Sequence, residues 1–147
     1  MTTFEPTIVG FLCNWCTFTA ADLAGTSRSC YPSNLRIVRV MCSGMVDPKF
    51  VLKAFFEGAD GVLVGGCWPG DCHYLNGNLK ARRRIVQMHD ILALYGIERD
   101  RLWLRWIAAS EGMHFAEVVK QMTTRLRELG PCSLGPRRFS DLVKVVQ

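Results

Sequence analysis

Gly61 to Asn78 reads GVLVGGCWPGDCHYLNGN. Val62, Leu63 and Val64 form an apolar, β-type run that stops at Gly65 and Gly66. Cys67 and Cys72 come next, separated by four residues on a loop shaped by Pro69 and Gly70. A pair of thiols at the carboxyl end of a strand occupies a place where α/β proteins put ligands.

The same arrangement recurs on either side of this stretch. Thr7 to Leu12 is a β-prone run that leads into Cys13-Asn14-Trp15-Cys16, and a helix of small residues around Ala20 to Ala24 follows, with Thr17 and Thr19 as expected caps. Leu35 to Met41 alternates apolar residues with Arg36 and Arg39 and ends at Cys42. Asp47-Pro48 starts a helix in which Phe50, Val51, Ala54 and Phe55 recur at helical spacing, and Gly58 stops it. A third helix starts near Asn76 to Asn78 and closes at Gly96, with Ile85, Met88, Ile91, Leu92 and Tyr95 expected on its apolar side and Arg82, Arg83 and Asp90 opposite. Leu102 to Ile107 is the fourth strand. The last helix carries Phe115, Val118, Val119, Met122, Leu126 and Leu129, and Gly130-Pro131 ends it.

Strands alternating with helices of this length give an α/β fold with a parallel sheet. The expectation is a small flavodoxin-like three-layer domain over residues 1–130, its four strands ordered 2-1-3-4, with a C-terminal extension over 131–147. That order puts the topological switch point between strands one and three, and ligands bind beyond the strand carboxyl ends there. Cys13, Cys16, Cys42, Cys67 and Cys72 all fall at those ends. Five thiols at equivalent positions are not accounted for by cysteine acting as a small buried hydrophobe, whereas Cys30 and Cys132 lie elsewhere and are expected to be free thiols.

At 147 residues the chain can bury a core without disulfide staples. Its seven cysteines are an odd number, and no basic-apolar leader precedes them, so the expectation is reduced thiols in a cytoplasm, available to metal. No apolar segment is long enough to span a membrane. The net charge of +5 is densest at Lys80 and Arg82-Arg83-Arg84, all within one helix and without interleaved aromatics; this fits a solvated helix face or an acidic protein partner better than nucleic acid.

An all-thiolate set suits zinc or iron-sulfur. Against a structural zinc, the apolar pattern suffices for folding and the thiols sit at the ligand edge. The C-x2-C and C-x4-C spacings both occur in plant-type two-iron ferredoxins, and a [2Fe-2S] cluster would take four of the five thiols. A thioredoxin-like dithiol at Cys13 and Cys16 is the rival reading, and it leaves Cys42, Cys67 and Cys72 without a role. The strand-one loop lacks a phosphate cradle for flavin. Trp15 and Trp68 are expected to shield the site or to form subunit contacts, and His73 to hydrogen-bond locally or line an interface. Asp71, Asn76 and Asn78 read as turn and cap residues, and His89 and His114 are given no role.

CNWC, MCSGMVDP and GADGVLVGGCWPGDCHYLNGN together resemble the delta subunit of the methyl-viologen-reducing hydrogenase, over about Val9 to Gly130, and Ser110-Glu111-Gly112 also fits. Met41 and Trp68 stand where that family more usually has proline and histidine. The resemblance implies a [2Fe-2S] protein without a substrate pocket. It would relay single electrons between a hydrogenase or formate dehydrogenase module and a heterodisulfide reductase A-like flavoprotein. The cluster edge and the tail, whose Leu142 to Val146 is apolar, are the expected docking and anchoring elements.

Overall fold

The computed structural model describes residues 3–134. The strands are β1 (Ile8–Cys13), β2 (Leu35–Val40), β3 (Gly61–Gly66) and β4 (Leu102–Trp106); the helices are α1 (Thr17–Thr26), α2 (Pro48–Phe56), α3 (Gly77–Leu94) and α4 (Gly112–Leu129). The sheet is parallel throughout with order β2-β1-β3-β4, the expected one. Expectations for Leu142 to Val146 lie outside the described residues.

Two apolar cores, one on each face, hold the layers together. Ile8, Leu12 and Leu63 point to the α1/α4 side, where they meet Ala20, Ala24, Phe115, Val119, Met122 and Leu126. Phe11, Val62 and Val64 point to the α2/α3 side, against Val51, Phe55, Ile85, Met88 and Leu92. The central strands are thus buried on both faces, as a parallel sheet requires. Strand β2 is an edge, and Arg36 to Arg39 along it are all exposed.

Three local details differ from the sequence reading. Strand β3 does not stop at the glycines but runs through them to Gly66. A Cβ on Gly65 would lie 2.4 Å from Thr17 Cγ2, and one on Gly66 would lie 2.8 Å from Ser43 Oγ, so these residues are glycine to let neighbouring segments close on the strand. On α3, Ile91 and Tyr95 are exposed and only Ile85, Met88 and Leu92 of the expected stripe are buried; Tyr95 instead meets the ring of Phe56 edge-on. On α2, Phe50 is half-exposed while Val51 and Phe55 are buried. The Asp47 cap forms as expected, its carboxylate accepting from Lys49 N at 2.8 Å.

The amino end of the sheet is tied by a charged residue that periodicity does not reveal. Arg101 is 1% exposed, yet it donates to Glu98 Oε2 at 2.6 Å, Asp60 O at 3.0 Å and Gly130 O at 2.8 Å, so that one guanidinium joins the start of β3 to the end of α4. Arg101→Ala strands these carbonyls and leaves a void. It is expected to lower the unfolding free energy by about 3 kcal/mol in urea titration. The five thiols at the opposite edge are expected to stay protected from alkylation in the folded variant.

Candidate metal centre

Each cysteine of the expected set is delivered by the end of an element. Cys13 is the last residue of β1, and the turn through Asn14 and Trp15 makes Cys16 the residue before α1. Cys42 follows β2 and opens the short 3-10 turn Ser43–Met45. Cys67 directly follows β3, and Cys72 lies in the loop before α3. The five side chains form one buried cluster, none more than 8% exposed. All seven cysteines are free thiols; Cys30 is exposed, and Cys132 packs against the α2/α3 core.

The cluster has two parts. The sulfurs of Cys13, Cys16 and Cys67 all lie within 4.8 Å of one another, with Cys13 and Cys67 at 3.8 Å. Cys42 and Cys72 form a pair at 4.0 Å. Thiolates bonded at roughly 2.3 Å to one tetrahedral metal stand roughly 3.8 Å apart, so both separations are those of sulfurs sharing a metal, and the donor set fits one.

Helix α3 holds three of the cysteines, on two loops. A Cβ on Gly77 would come within 2.2 Å of Cys42 Sγ and 3.4 Å of Cys72 Sγ, so the first turn of the helix lies directly against the pair. Asn78, fully buried, donates from Nδ2 to Cys67 O at 2.9 Å and Trp68 O at 3.0 Å. One turn and a half further on, Arg84 donates to Gly44 O and, at 3.4 Å, to Val46 O, fixing the turn after Cys42. Asn78 Oδ1 accepts from Leu79 N at 2.9 Å in the first turn of α3, in keeping with its reading as a turn and cap residue, and its Nδ2 adds the hold on the Cys67 loop; Arg84 is not simply part of a solvated basic face, although Arg82 and Arg83 are exposed. The other expected caps are absent: Asn76 makes no side-chain cap bond, Thr17 is buried beside Gly65, Thr19 Oγ1 donates to Asn14 O at 3.0 Å, and the N-cap position of α1 falls to Cys16, which makes no cap bond either. A signal for Asn78 was present in the sequence, since an asparagine following Asn76-Gly77 at a helix start can serve the helix through its oxygen and the preceding loop through its NH2.

The aromatic residues bridge loops at the rim. Trp15 stacks on His73 with centroids 4.0 Å apart and donates from Nε1 to Tyr74 OH at 3.2 Å, which ties the Cys13–Cys16 turn to the loop carrying Cys72. Trp68 Nε1 donates to Glu111 Oε2 at 2.9 Å, and the same oxygen accepts from Ala108 N at 2.7 Å; these two bonds lower the Glu111 pKa. Both indoles stay exposed, so they are linkers at the margin more than a lid.

The thiols are electrostatically unequal. A hydrogen bond from Cys16 holds the Cys13 thiol well below its usual range despite burial, and giving that bond, together with burial, pushes Cys16 up. Burial pushes Cys42 and Cys67 up. Burial opposes ionisation of Cys72 as well, but the backbone N–H groups of Asn78, Tyr74 and Gly77 outweigh it and its pKa falls. Sulfurs that share protons in this way release them when a metal takes their place.

Residues 8–130 match the family described as methyl-viologen-reducing hydrogenase, delta subunit. The chain is 53% identical over 131 residues to the vhc iron-sulfur subunit of the F420-non-reducing hydrogenase of Methanococcus voltae, covering 89% of this chain and 91% of that protein. It is 52% identical over 128 residues to the iron-sulfur subunit of the F420-non-reducing hydrogenase of Archaeoglobus profundus, covering 87% and 93%. It is also 46% identical over 126 residues to the A subunit of the ferredoxin/F(420)H(2)-dependent CoB-CoM heterodisulfide reductase of Methanosarcina acetivorans, where the matched part is 86% of this chain but 16% of that protein. The chain, with its five buried thiols at the carboxyl edge of a parallel sheet, belongs to the methyl-viologen-reducing hydrogenase delta-subunit family.

Proposed function

We propose that the protein is an electron-transfer subunit that holds one [2Fe-2S] cluster in the five-cysteine site. The observation that carries this reading is the division of the buried thiols into a triad and a pair, each with sulfurs spaced for a tetrahedral metal. Cys42 and Cys72 would hold one iron, and two of Cys13, Cys16 and Cys67 the other. When bound, such a cluster takes up and gives back one electron at a time. The chain's own part is to keep the sulfurs dry, direct backbone N–H groups at them and fix the loops through Asn78 and Arg84.

The partners we propose are a heterodisulfide reductase A-like flavoprotein and a hydrogenase module, with a formate dehydrogenase as the alternative donor, in a cytoplasmic complex. Support comes from the names of the relatives, one of which carries this domain as a small part of a much longer heterodisulfide reductase polypeptide. Among the described residues no helix is long and apolar enough to cross a membrane.

A dithiol oxidoreductase is the second reading, favoured by the lowered Cys13 beside the raised Cys16. Thiol–disulfide exchange needs a substrate sulfur to reach the attacking thiolate, and Cys13 is 1% exposed. The metal-free protein is therefore expected to show no disulfide reductase turnover; robust turnover abolished by Cys13→Ser would establish the dithiol instead.

Two further outcomes follow. Protein prepared anaerobically is expected to contain about two iron and about two sulfide per chain. Zinc in stoichiometric amount without sulfide would replace the cluster with a structural metal. Gly77→Ala, whose Cβ collides with Cys42 Sγ, is expected to lose most of its iron, whereas Gly25→Ala, whose Cβ meets nothing within 4 Å, keeps it.

A further inference from the structure

Among the described residues β4 is the sheet's second edge, and beside it lies a groove of about 350 Å³ lined by His89, Arg99, Asp100, Trp103, Arg105 and Arg125. The backbone along this edge is unevenly occupied. Ile107 N donates to Gly66 O, so Trp103, Arg105 and Ile107 turn their backbone groups to β3, while Leu102, Leu104 and Trp106 turn theirs outward. The outward carbonyl of Leu102 accepts from His89 Nε2 at 2.9 Å, and that of Leu104 accepts from Arg105 Nη1 at 3.0 Å. Leu102 N–H in turn donates to Arg99 O. An added strand would need those carbonyls, so the first part of the edge is closed to sheet extension and open to a ligand that brings its own acceptors.

The guanidinium groups of the groove are unequally engaged. Arg125 meets Asp100 Oδ2 at 2.6 Å and Glu128 Oε2 at 2.9 Å and is satisfied by them. Arg99 is exposed and has no carboxylate partner among the described residues. Arg105 is half-buried, its guanidinium 4.1 Å over the ring of Trp103, and that indole is itself held by donation from Nε1 to Asp100 O at 2.7 Å. Nε and Nη2 of Arg105, the fork that takes both oxygens of a carboxylate, bond nothing among the described residues. Burial lowers the pKa of this arginine, and no acidic group offsets it. A cation already held in place and partly desolvated loses little more on meeting an anion. Leu102 and the indole add apolar surface to the same groove, which suits the methylene stem of a glutamate and offers nothing to a bare phosphate.

We propose that this groove is a docking site for an acidic segment of a partner protein, with one glutamate carboxylate gripped by the free fork of Arg105 and a neighbouring one met by Arg99. His89 lies about three turns along α3 from Gly77, roughly 18 Å from the cysteine edge. A protein docked at the groove therefore leaves the rim over the thiols free for another. An electron relay has to meet both a donor and an acceptor, and two surfaces set apart on one small domain let both be in place at once. The groove itself does not depend on the metal, because an acidic segment can bind there whether or not the thiols hold iron.

The test is a calorimetric titration of an acetylated, amidated hexaglutamate peptide into the full chain at low ionic strength. The expected result is a single saturable site, weakened about tenfold by Arg105→Gln and by Arg99→Gln and unchanged by Arg36→Gln on β2 at the opposite edge. Arg105→Lys keeps the charge without the fork and is expected not to restore full affinity. Circular dichroism checks that the variants fold; should Arg105→Gln fail to fold, the exposed Arg99 carries the test alone. Absence of a saturable site, affinity unmoved by Arg99→Gln, or an equal loss with Arg36→Gln would overturn the inference. Inorganic phosphate binding as tightly as the peptide would overturn it too, since the groove would then be a small-anion pocket. None of these outcomes bears on iron or sulfide content, by which the two-iron reading is judged.

Discussion

The carboxyl edge of this sheet depends on one close approach, that of the first turn of α3 to the sulfurs of Cys42 and Cys72. Any side chain at Gly77 would occupy the position of Cys42 Sγ. The approach is reciprocal, because a Cβ on Gly44 would lie 2.8 Å from Gly77 O. Two glycines from separate segments thus let a turn and a helix end share the space beside two thiols. With the helix end fixed there, Asn78 reaches the loop of Cys67 and Cys72 and Arg84 reaches the turn after Cys42, so three cysteines on two loops take their positions from a single helix.

The fold itself is carried elsewhere. The two apolar cores bury the faces of the sheet with Leu, Ile, Val, Met and Phe side chains, and Arg101 closes its amino end. The five thiols form a third cluster that contains no other residue type. A domain with this much apolar burial has no need of a metal to fold, in contrast to small zinc modules, where metal binding supplies the folding free energy. A site that stability does not demand, placed where parallel sheets put ligands, is best understood through its chemistry.

The parts of this architecture that obey a period were legible in the sequence. Strand and helix positions follow from the alternation of apolar runs, the 2-1-3-4 order from the flavodoxin-like pattern that such alternation suggests, and the convergence of Cys13, Cys16, Cys42, Cys67 and Cys72 on one edge from where those runs end. The parts that rest on a single long-range contact were not. Asn78 reaches back 11 residues to Cys67, Arg84 reaches back 40 to Gly44, and Arg101 reaches forward 29 to Gly130; no periodicity encodes such pairs. Gly65 and Gly66 escape a sequence reading for the same reason, since a glycine that ends a strand and a glycine that admits Thr17 or Ser43 look alike until the neighbour is placed. Ile91 and Tyr95 show the converse error, in which helical spacing extended the apolar stripe beyond the surface that the sheet covers.

The same geometry bears on the proposed relay. Chemistry on a substrate requires contact between the reacting atom and a protein group, and the five sulfurs are at most 8% exposed, beneath backbone from several loops. Transfer of an electron needs proximity without contact, and around the buried thiols stands a rim of half-exposed Trp15, Met41, Met45, Trp68 and Tyr74 together with Leu75, which is 86% exposed. Aromatic and methionine side chains are the residues enriched where one protein buries another. Five thiols screened from water but lying just beneath an apolar rim would suit the proposed electron relay, whose specificity would be decided by which partner covers that rim.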